Sequence, residues 1–496
     1  MKNEIIDNLK IIKKNGKTIG LVHGVFDVVH VGHLLYFEEA KGQVDYLVAS
    51  ITSDKFVNKS PGKPIFTADE RKKILLSNKY IDNVIISNDY TAVNVINLIK
   101  PNLYFKGQEY KNLKNDISGN LRKEISALKK HKGKIYFTNT KAYSSSKIIN
   151  EKFNYLAPNA LQYIKSKNLE IIKAKFKAKI KTNKKILLIG DPILDIYTKV
   201  EPTGKSNKSS IISSRFIQNK IYPGGILLVA NILSSFSNNV HFIYPSNKNN
   251  DDVIKENLNK KIKLIKIKSE AKVIKKIKFL DRYNFSKLFQ LTHNETNVHS
   301  VNEQKIITNF VKKNVKSFDK IIIFDYGYYS VFEDLIKIFN KYNKKCIINC
   351  QSNSFNFGFN LATKFNSASI LCVDEIEFRL SVGDNKTNLK DLLIENKKKF
   401  QKFATLIVTS GKFGCHILEK NKIKFIPTII DRSRDTIGCG DVFLTFFALC
   451  KMVSNFGSED AALIAHIASG IHAHQDGNNN ILTYEKMLET INNLLK

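Results

Sequence analysis

The sequence predicts an α/β protein with two domains, each built on a parallel sheet. Short β-branched runs alternate with helical patterns from Lys17 to about Phe137, and a second alternation of this kind begins near residue 185. Such alternation is typical of βαβ units, in which helices cover both faces of a parallel sheet. A length of 496 residues with 43% hydrophobic residues is enough for at least two domains with their own cores.

The first domain is predicted to cover residues 1–152. Its strands are TIGLV, YLVASI, NVIIS, LYF and KIYF, and its helices include VGHLLYFEEAK, ADERKKILLSN and AVNVINLIK. An amphipathic helix pattern, MKNEIIDNLKIIKKNGK, precedes the first strand. Its apolar residues never form the long run of a signal peptide, so we expect a protein that stays in the cytoplasm.

The second domain is predicted to cover residues 185–496, after a basic linker at 153–184. Lys recurs at every second position from Lys173 to Lys181, which indicates a solvated helix end and linker. The buried strands of the second domain are predicted to be KKILLIGD, KIIIFDYG, KCIINC, ASILCV and LIVTSG. From Asp435 onward the pattern is mostly helical.

The composition excludes several classes of protein. The formal net charge of +34 comes almost entirely from Lys spread along the chain, whereas readers of nucleic-acid grooves rely on Arg. We therefore expect no nucleic-acid partner, and duplex binding stays an alternative that predicts a steep salt dependence. No apolar stretch approaches 18 residues, so no membrane partner is expected. The six Cys form no C-x-x-C pair, which argues against zinc sites and disulfides and favours a reducing compartment.

A histidine pair follows the first strand in LVHGVFDVVHVGHLLYFEEAK. His30 and His33 stand at the predicted start of a helix, and Gly32 lets the backbone bend between them. A helix N-terminus attracts phosphate through its unpaired N–H groups. Two imidazoles there can donate hydrogen bonds to phosphate oxygens as these gain charge, whereas a single histidine would more often be structural. The pair therefore predicts a phosphate-handling site.

Residues 17–150 resemble the nucleotidyltransferase superfamily that contains the glycerol-phosphate cytidylyltransferases and the heptose-phosphate adenylyltransferases. The resemblance rests on the histidine pair and on TSDKFVNKSPGKP, ADERKKIL, LYFKGQEY and YSSSKIIN. It implies a Rossmann-like domain that transfers a nucleotidyl group. The last two segments are closer to the heptose branch, which favours ATP, with CTP as the alternative. Gln108 and Glu109 depart from that branch and leave the base and the acceptor sugar open.

The resemblance also implies roles for individual residues. His30 and His33 would be the catalytic pair that stabilises the transferring phosphate, and Lys55 or Lys59 would hold the triphosphate tail. The residues implied in nucleotide binding are Gly24, Phe26, Lys55, Lys59, Arg71, Lys106, Ser144, Ser145 and Ser146.

A glycine loop with an aspartate stands in DTIGCGDVFLTFFALC. Gly438, Cys439 and Gly440 open an apolar helix, so their N–H groups are expected to converge on one anion. Asp441 lies in the first turn, where a carboxylate can take a proton from an attacking hydroxyl while the loop stabilises a phosphoryl group. No G-K-[ST] follows, so this is not a Walker A loop. A simple N-cap would explain Asp441 but not the whole string.

Residues 185–496 resemble the ribokinase-like sugar kinases of the phosphofructokinase-B family. The resemblance rests on DTIGCGDVF, LLIGDPILDIY, YPGGILLVANIL, LIVTSGKFGCHIL and HQDGNNNILTYEKM. It implies Asp441 as the catalytic base and Glu377 as a residue that orients magnesium-bound water. The implied nucleotide-binding residues are Thr409, Gly411, Gly414, Gly438, Cys439 and Gly440. The implied substrate-binding residues are Asp191, Asp195, Gly224, Gly225, Lys276, Lys278 and Arg282.

The departures from the kinase pattern concentrate on the sugar side. Leu228 replaces an Asn, Tyr328 a Lys, Asn349 an Asp and Gln351 a Lys, and Asp374 replaces the Asn of N-x-x-E. The sugar therefore differs, or the kinase has become a binding module. His466, His472 and His474 are interpreted as packing or surface histidines.

Together the two halves resemble the bifunctional enzymes that make nucleotide-activated heptose, with the domain order reversed. The resemblance implies a kinase that uses ATP and Mg²⁺ on a heptose-like sugar or sugar phosphate, followed by nucleotidyl transfer to the sugar 1-phosphate, for surface polysaccharide. It also implies a homodimer. The alternative is a monofunctional nucleotidyltransferase with an inactive kinase-like module.

Overall fold

The chain folds into two compact units. The computed structural model describes residues 2–57, 64–111, 120–139, 156–179, 181–206, 209–293, 299–430, 433–453, 456–475, 477–478 and 481–494. One unit contains residues 1–155 with 485–496, and the other contains residues 156–484. The domain limits 1–152, 153–184 and 185–496 stay predictions.

The first unit is built on a five-stranded parallel sheet. Its strands are β1 (Ile19–Gly24), β2 (Tyr46–Thr52), β3 (Asn83–Ser87), β4 (Leu103–Lys106) and β5 (Lys134–Phe137), in the order β3-β2-β1-β4-β5. Its helices are α1 (Lys2–Lys14), α2 (Val31–Lys41), α3 (Ala68–Leu76), α4 (Val93–Ile99) and α5 (Asn120–Lys130). The predicted alternation of strand and helix is confirmed.

Both faces of this sheet are buried, as a parallel sheet requires. Successive residues of a strand point to opposite faces, so Leu21 and Tyr104 enter one apolar cluster while Val22 and Phe105 enter the other. The continuous apolar runs of the sequence are a direct consequence of this double coverage.

The second unit contains two sheets. Its strands are β6 (Ile186–Gly190), β7 (Pro192–Lys205), β8 (Ile212–Gly225), β9 (Val240–Ser246), β10 (Lys263–Lys268), β11 (Ile274–Asp281), β12 (Lys287–His293), β13 (Lys320–Asp325), β14 (Cys346–Cys350), β15 (Ala368–Asp374), β16 (Phe403–Thr409), β17 (Cys415–Glu419) and β18 (Lys422–Ile426). The larger sheet has nine strands in the order β10-β9-β6-β13-β14-β15-β16-β17-β18. Its first seven strands are parallel, and β17 and β18 are antiparallel. The five buried strands predicted from the sequence all lie in this sheet.

The smaller sheet has four strands in the order β12-β11-β7-β8. Only the β7–β11 pair is parallel. Its two faces differ, because alternate residues of each strand point to opposite sides. Lys276 and Lys278 of β11 are on the face that lines the cavities described below, and Phe279 is on the other face.

The second unit also contains a series of helices before, between and after its strands. They are α6 (Pro158–Lys165), α7 (Leu169–Lys179), α8 (Ile226–Ser234), α9 (Lys248–Asn257), α10 (Val301–Asn314), α11 (Glu333–Lys341), α12 (Glu375–Val382), α13 (Leu389–Glu395), α14 (Lys397–Phe400), α15 (Cys439–Val453) and α16 (Ser458–Ala473), and α17 (Tyr484–Leu494) starts where the two units meet along the chain. The part after Asp435 is mostly helical, as predicted. Among the described residues, no helix is both long and apolar enough to cross a bilayer.

The segment predicted as a basic linker contains the helices α6 and α7. Phe176 of α7 is fully buried and its ring stacks on Tyr484 at 6.0 Å. Lys175 lies 3.5 Å from the carboxylate of Asp460, and Lys167 pairs with Glu459. Lys175 of this alternating series thus pairs with α16, while Phe176 beside it packs inward.

Candidate active sites

The first candidate site lies where the strand order of the first unit reverses. From β1 the chain proceeds to β2 and β3 on one side and to β4 on the other. In open α/β sheets, ligands bind outside the carboxyl ends of strands at such a point. Gly24 ends β1 and Lys106 ends β4, so both predicted nucleotide-binding residues lie at this edge.

The two histidines form one cluster at the start of α2. His30 caps the helix, and its Nδ1 accepts a hydrogen bond from the backbone N–H of Gly32 at 3.1 Å. In the neutral ring the proton is then on Nε2, which can donate to a phosphate oxygen. The rings of His30 and His33 stack with centroids 4.1 Å apart. The arrangement suits stabilisation of negative charge at the helix N-terminus.

Phe26 braces this cluster. Its ring meets the His33 ring edge to face at 5.4 Å, and its backbone adopts a left-handed conformation with φ of 48°. A Cβ on Gly24 would lie 3.1 Å from the Phe26 ring, so a glycine at this position avoids a close steric contact with the ring. In this conformation Phe26 positions the histidines.

Arg71 is fully buried and binds the chain itself. Its guanidinium donates to the backbone carbonyls of Val25, Thr52 and Phe66 and to the carboxylate of Asp54. These bonds fasten the loops that follow β1 and β2 to helix α3. The nucleotide-binding role implied for Arg71 stays a prediction, and the role visible in its contacts is that of a scaffold.

Lys106 is held by a buried carboxylate. Its Nζ lies 3.1 Å from Oε2 of Glu124 on α5, and Glu124 also accepts hydrogen bonds from the Ala92 N–H and the Tyr104 hydroxyl. The nearby Lys106 charge holds the pKa of Glu124 down against the opposing effect of its burial. Lys106 is therefore a positioned cation at the strand edge.

The remaining residues predicted to bind the nucleotide have different outcomes. Lys55 is exposed in the short helical turn Asp54–Phe56, so it is accessible to a phosphate tail. The predictions for Lys59, Ser144, Ser145 and Ser146 fall outside the described residues.

The second candidate site is a cavity between the four-stranded sheet and the glycine loop. It holds about 530 Å³ of empty space, part of it open to solvent. The residues that line it are Ile193, Asp195, Gly225, Lys276, Lys278, Gln290, Tyr326, Gln351, Ile437, Gly438, Asp441 and Asn478. It thus brings Asp441 together with five of the predicted residues, namely Asp195, Gly225, Lys276, Lys278 and Gly438.

Asp441 lies in the first turn of α15 with its side chain buried. Its Oδ1 accepts a hydrogen bond from the amide of Gln351 at 2.6 Å. Burial raises the pKa of Asp441 to about 6, although this hydrogen bond opposes the rise. A carboxylate with such a pKa is ionised near neutrality and still basic enough to take a proton from a hydroxyl.

The glycine loop packs closely behind the cavity. Gly438 has a φ of 77°, and a Cβ there would lie 3.0 Å from Cδ2 of Leu228 and 3.1 Å from Nε2 of His472. His472 is buried and its Nε2 hydrogen-bonds the carbonyl of Ile437 at 2.9 Å. Burial lowers the pKa of His472, so a neutral ring holds the loop. Gly440 and Cys439 begin α15 directly after it.

Buried charges line the part of the cavity formed by β7 and β11. Asp195 pairs with Lys278, and Asn478 donates to its other oxygen at 3.3 Å. A Cβ on Gly224 would lie 2.2 Å from that oxygen, so only glycine permits this position of Asp195. Burial lowers the pKa of Lys276, the second cation of the cavity.

Two of the predicted substrate residues bind elsewhere in the structure. Asp191 is buried and accepts hydrogen bonds from the backbone N–H groups of Tyr329 and Ser330 at 3.1 and 2.8 Å. Arg282 follows β11 and pairs with Glu201 at 3.2 Å. Neither lines the cavity, and their substrate roles stay predictions.

The residues implied in nucleotide binding after β16 lie at its carboxyl end. Thr409 is the last residue of β16, and Gly411 and Gly414 flank a tight turn with positive φ values of 52° and 110°. A Cβ on Gly414 would lie 2.2 Å from the carbonyl of Ile426, so the turn needs glycine there. Strand β16 lies next to β15 in the sheet, and Glu377 is on the helix that follows β15.

Glu377 offers the carboxylate that a magnesium ion would need. It is buried at the start of α12, where its oxygens accept hydrogen bonds from the backbone N–H groups of Asp374 and Ser352. Burial raises its pKa, and the charges of Asp374 and Asp441 add to this. The described residues contain no cluster of three acidic, His or Cys side chains that could hold a metal. A single protein carboxylate is consistent with Mg²⁺ that binds together with the nucleotide phosphates and keeps several water ligands.

Sequence reasoning missed several residues of the cavity. Gln351 was identified only as a departure from the kinase pattern, yet its amide joins Asn349 and Asp441, both at 2.6 Å. Tyr326 and Asn478 line the cavity and were not singled out. His472 was interpreted as a packing or surface residue, and its packing is against the glycine loop. No local sequence pattern predicts these contacts, because they join segments that are far apart in the chain.

Comparison with known proteins finds a family match in each half of the chain. A cytidylyltransferase-like family model matches residues 21–151, and the model of the pfkB family carbohydrate kinases matches residues 183–483. The N-terminal part is similar to the bifunctional protein HldE of Aliarcobacter butzleri, with 36% identity over 121 residues, 24% of this chain and 25% of that protein. The corresponding protein of Campylobacter jejuni is 32% identical over 143 residues, 28% of this chain and 29% of its own.

These alignments span only about a quarter of the curated relatives' length. A mutant of phosphofructokinase-2 from Escherichia coli superposes with a TM-score of 0.51 at 13% identity, over 64% of this chain and 100% of that chain, which shows the ribokinase-like fold alone. The predicted fold class and both family resemblances are confirmed. The chain belongs to the pfkB family of carbohydrate kinases, and a cytidylyltransferase-like domain precedes the kinase domain.

Proposed function

We propose that this protein activates a sugar in two steps. The second unit phosphorylates the anomeric hydroxyl of a heptose-like sugar or sugar phosphate with ATP and releases ADP. In the first unit the new 1-phosphate group attacks the α-phosphate of a nucleoside triphosphate, which forms the nucleotide sugar and releases pyrophosphate. The observation that carries the proposal is the position of Asp441, which shares one cavity with Asp195, Lys276 and Lys278 at the glycine loop.

In the kinase step, Asp441 takes the proton of the attacking hydroxyl. Its raised pKa of about 6 supports this role, because the group is a usable base near neutral pH. The N–H groups around Gly438 stabilise the transferring phosphoryl group, and Asp195 holds sugar hydroxyls. Magnesium, when bound with the nucleotide, neutralises phosphate charge, and Glu377 orients its water.

In the nucleotidyl step, His30 and His33 donate hydrogen bonds to the phosphate at which substitution occurs. The stacked rings at the N-terminus of α2 support this role. Lys106 and Lys55 neutralise the triphosphate. ATP is our first choice of nucleotide and CTP the second, since the N-terminal similarity is to proteins named bifunctional HldE. The product is then an ADP-heptose-like sugar for surface polysaccharide.

The test supplies purified protein with ATP, Mg²⁺ and a panel of heptose and hexose phosphates. We expect ADP and pyrophosphate to appear with one sugar of the panel. Asp441→Asn should abolish ADP formation but should still release pyrophosphate when a sugar 1-phosphate is supplied. His30→Ala should abolish pyrophosphate release while ADP still forms. If no sugar yields ADP while a supplied sugar 1-phosphate still yields pyrophosphate, the protein is a monofunctional nucleotidyltransferase with a kinase-like module.

We also propose that two copies pair through the four-stranded sheet. The face opposite the cavity is apolar and exposed, with Ile221 56%, Phe289 55% and Leu291 48% accessible. Such a contiguous apolar face is typical of an interface. Light scattering should give twice the chain mass, and Ile221→Lys with Phe289→Lys should give the monomer mass. A wild-type monomer at micromolar concentration would contradict the pairing.

A further inference from the structure

A second cavity continues the same face of the four-stranded sheet beyond the first. It is lined by Tyr197, Lys199, Lys220, Tyr222, Leu280, Phe285, Lys287, Arg434 and Asp435 and holds about 470 Å³ of empty space, part of it open to solvent. Asp195, Tyr197 and Lys199 alternate along β7 and therefore point to one side. The rings of Tyr197 and Tyr222, 5.2 Å apart, stand between the two cavities.

The charges of the second cavity are unbalanced. Among the residues that the structure describes, four cations line it together with the carboxylate of Asp435, which Lys287 contacts at 2.7 Å. Within the described part of the chain, neither Lys199 nor Lys220 lies within ion-pair distance of a carboxylate. Cations that a fold brings together in excess of their counter-charges repel one another, and an anion between them relieves that repulsion.

An aromatic ring positions two of these cations. Nζ of Lys199 lies 4.1 Å from the centroid of the Phe285 ring, and Cζ of Arg434 lies 4.9 Å from it. Phe285 is fixed in the turn between β11 and β12 with a φ of 60°, and its N–H donates to the carbonyl of Asp281 at 3.0 Å. A cation held over a ring keeps its charge available to a ligand.

The carboxylate of Asp435 connects the second cavity to the glycine loop. Asp435 accepts hydrogen bonds from the Tyr197 hydroxyl, from the Gly477 N–H at 3.2 Å and from the Ile437 N–H at 3.1 Å. Lys287 holds Asp435 in this position. An anion bound in the second cavity would compete with Asp435 for Lys287, and Asp435 is the residue that begins the loop.

We propose that the second cavity is a binding site for a phosphate-bearing anion, held by Lys199, Lys220, Lys287 and Arg434. Neither the motifs nor the family resemblance assigned a role to any of these four residues. The phosphate belongs either to a distal group of the molecule whose reacting end occupies the first cavity or to a separate small molecule that acts on the loop. The site rests on its own geometry and stands whichever sugar the kinase uses.

The test exploits the absence of tryptophan from the chain. Phe285→Trp places a single fluorescent reporter in the second cavity, and tryptophan keeps the cation–π contacts. Titration with inorganic pyrophosphate at constant ionic strength should give a saturable change in fluorescence. Lys199→Gln with Lys220→Gln in this background should weaken binding at least tenfold. The matched control, Lys205→Gln with Lys275→Gln, removes the same charge from exposed positions of the same sheet and should bind as the parent does.

A calorimetric titration of proteins that keep the natural Phe285 with pyrophosphate controls for any effect of the tryptophan substitution on the site. The Lys199, Lys220 double variant should lose one pyrophosphate-binding event that the control variant keeps. The proposal is overturned if fluorescence shows no saturation, if sodium chloride reproduces the change, or if both double variants bind alike. These measurements need no catalysis, so their failure is distinct from failure of the proposed function.

Kinase assays then identify the source of the phosphate. If pyrophosphate raises the KM for the phosphorylated sugar and leaves kcat unchanged, the site takes a group of the substrate. If it changes kcat and leaves that KM unchanged, the ligand is a separate molecule. Either effect should disappear in the Lys199, Lys220 double variant and persist in the control.

Discussion

Gln351 shows how a single side chain tunes the base of a buried site. Burial alone would raise the pKa of Asp441 further, and the Gln351 amide opposes this by donating to the ionised carboxylate. Asn349 holds the same amide by accepting from it at 2.6 Å. Two of the residues that depart from the kinase pattern are therefore joined to the proposed base, which argues for a positioned carboxylate rather than a decayed one.

Replacing Gln351 should shift the pH dependence of the kinase. The base acts when ionised, so the kinase rate should rise with pH through about 6 and fall below it. A hydrogen bond to a charged group contributes about 1.5–3 kcal/mol, and one pH unit corresponds to about 1.4 kcal/mol, so Gln351→Leu should move the midpoint up by about one to two units. Gln351→Lys should move it down, because a cation favours the ionised carboxylate. Unchanged midpoints in both variants would show that Gln351 does not act on the base.

Gly224 should tolerate no side chain. A Cβ there would lie 2.2 Å from Oδ2 of Asp195, and the clash would displace the carboxylate that Lys278 and Asn478 hold. Gly224→Ala should lower kinase kcat/KM at least tenfold, mainly through the KM for the sugar. Gly457→Ala is the control, because nothing lies within 4 Å of its Cβ and its φ is negative. Equal kinetics for the two variants would contradict a sugar-binding role of Asp195.

Some strands of this protein can be predicted from the sequence and others cannot, and burial explains the difference. Strands buried on both faces read as continuous apolar runs, and all of those predicted are present. Strand β8 reads ISSRFIQNKIYPGG, most of whose residues are exposed, so its sequence gives neither an apolar run nor a clean alternation. The four-stranded sheet is therefore hard to predict from the sequence, although its residues line both cavities.

Helix α7 illustrates a second reason for error in sequence interpretation. A repeat of Lys at alternate positions predicts a solvated segment, but Phe176 between those lysines is fully buried. The pattern of charge hides the apolar face, because lysine stems can lie along a packed surface while their ends reach water or a carboxylate.

Removing the Phe176 ring should destabilise the second unit. Loss of a buried aromatic side chain costs about 3–5 kcal/mol, partly through the cavity left behind, so Phe176→Ala should lower the midpoint of urea unfolding followed by kinase activity. Lys177→Ala is the matched control, because its side chain is exposed and should leave the midpoint unchanged. Equal midpoints for the two variants would mean that α7 does not contribute to the fold of this unit.

At the scale of the whole molecule, the net charge of +34 is informative only when the positions of the charged side chains in the fold are known. Lys276 and Lys278 point into the first cavity and Lys199, Lys220 and Lys287 into the second, so part of the excess faces sites suited to anions. Composition shows the excess but not its location, because lysines that line a cavity and lysines on a solvated face have the same sequence signal. The motifs located Asp441, the histidine pair and the glycine loop, since each of these is a local string.

The two activities should be separable in solution. The proposed catalytic residues belong to different units, His30 to the first and Asp441 to the second. A mixture of His30→Ala and Asp441→Asn proteins should therefore form the nucleotide sugar from the free sugar substrate, because the sugar 1-phosphate made by the first variant can diffuse to the second. Mass spectrometry of the product should show the wild-type mass, after a lag that shortens as protein concentration rises. If each variant keeps its own half-reaction but the mixture forms no product, the intermediate passes between the two sites of one chain without release.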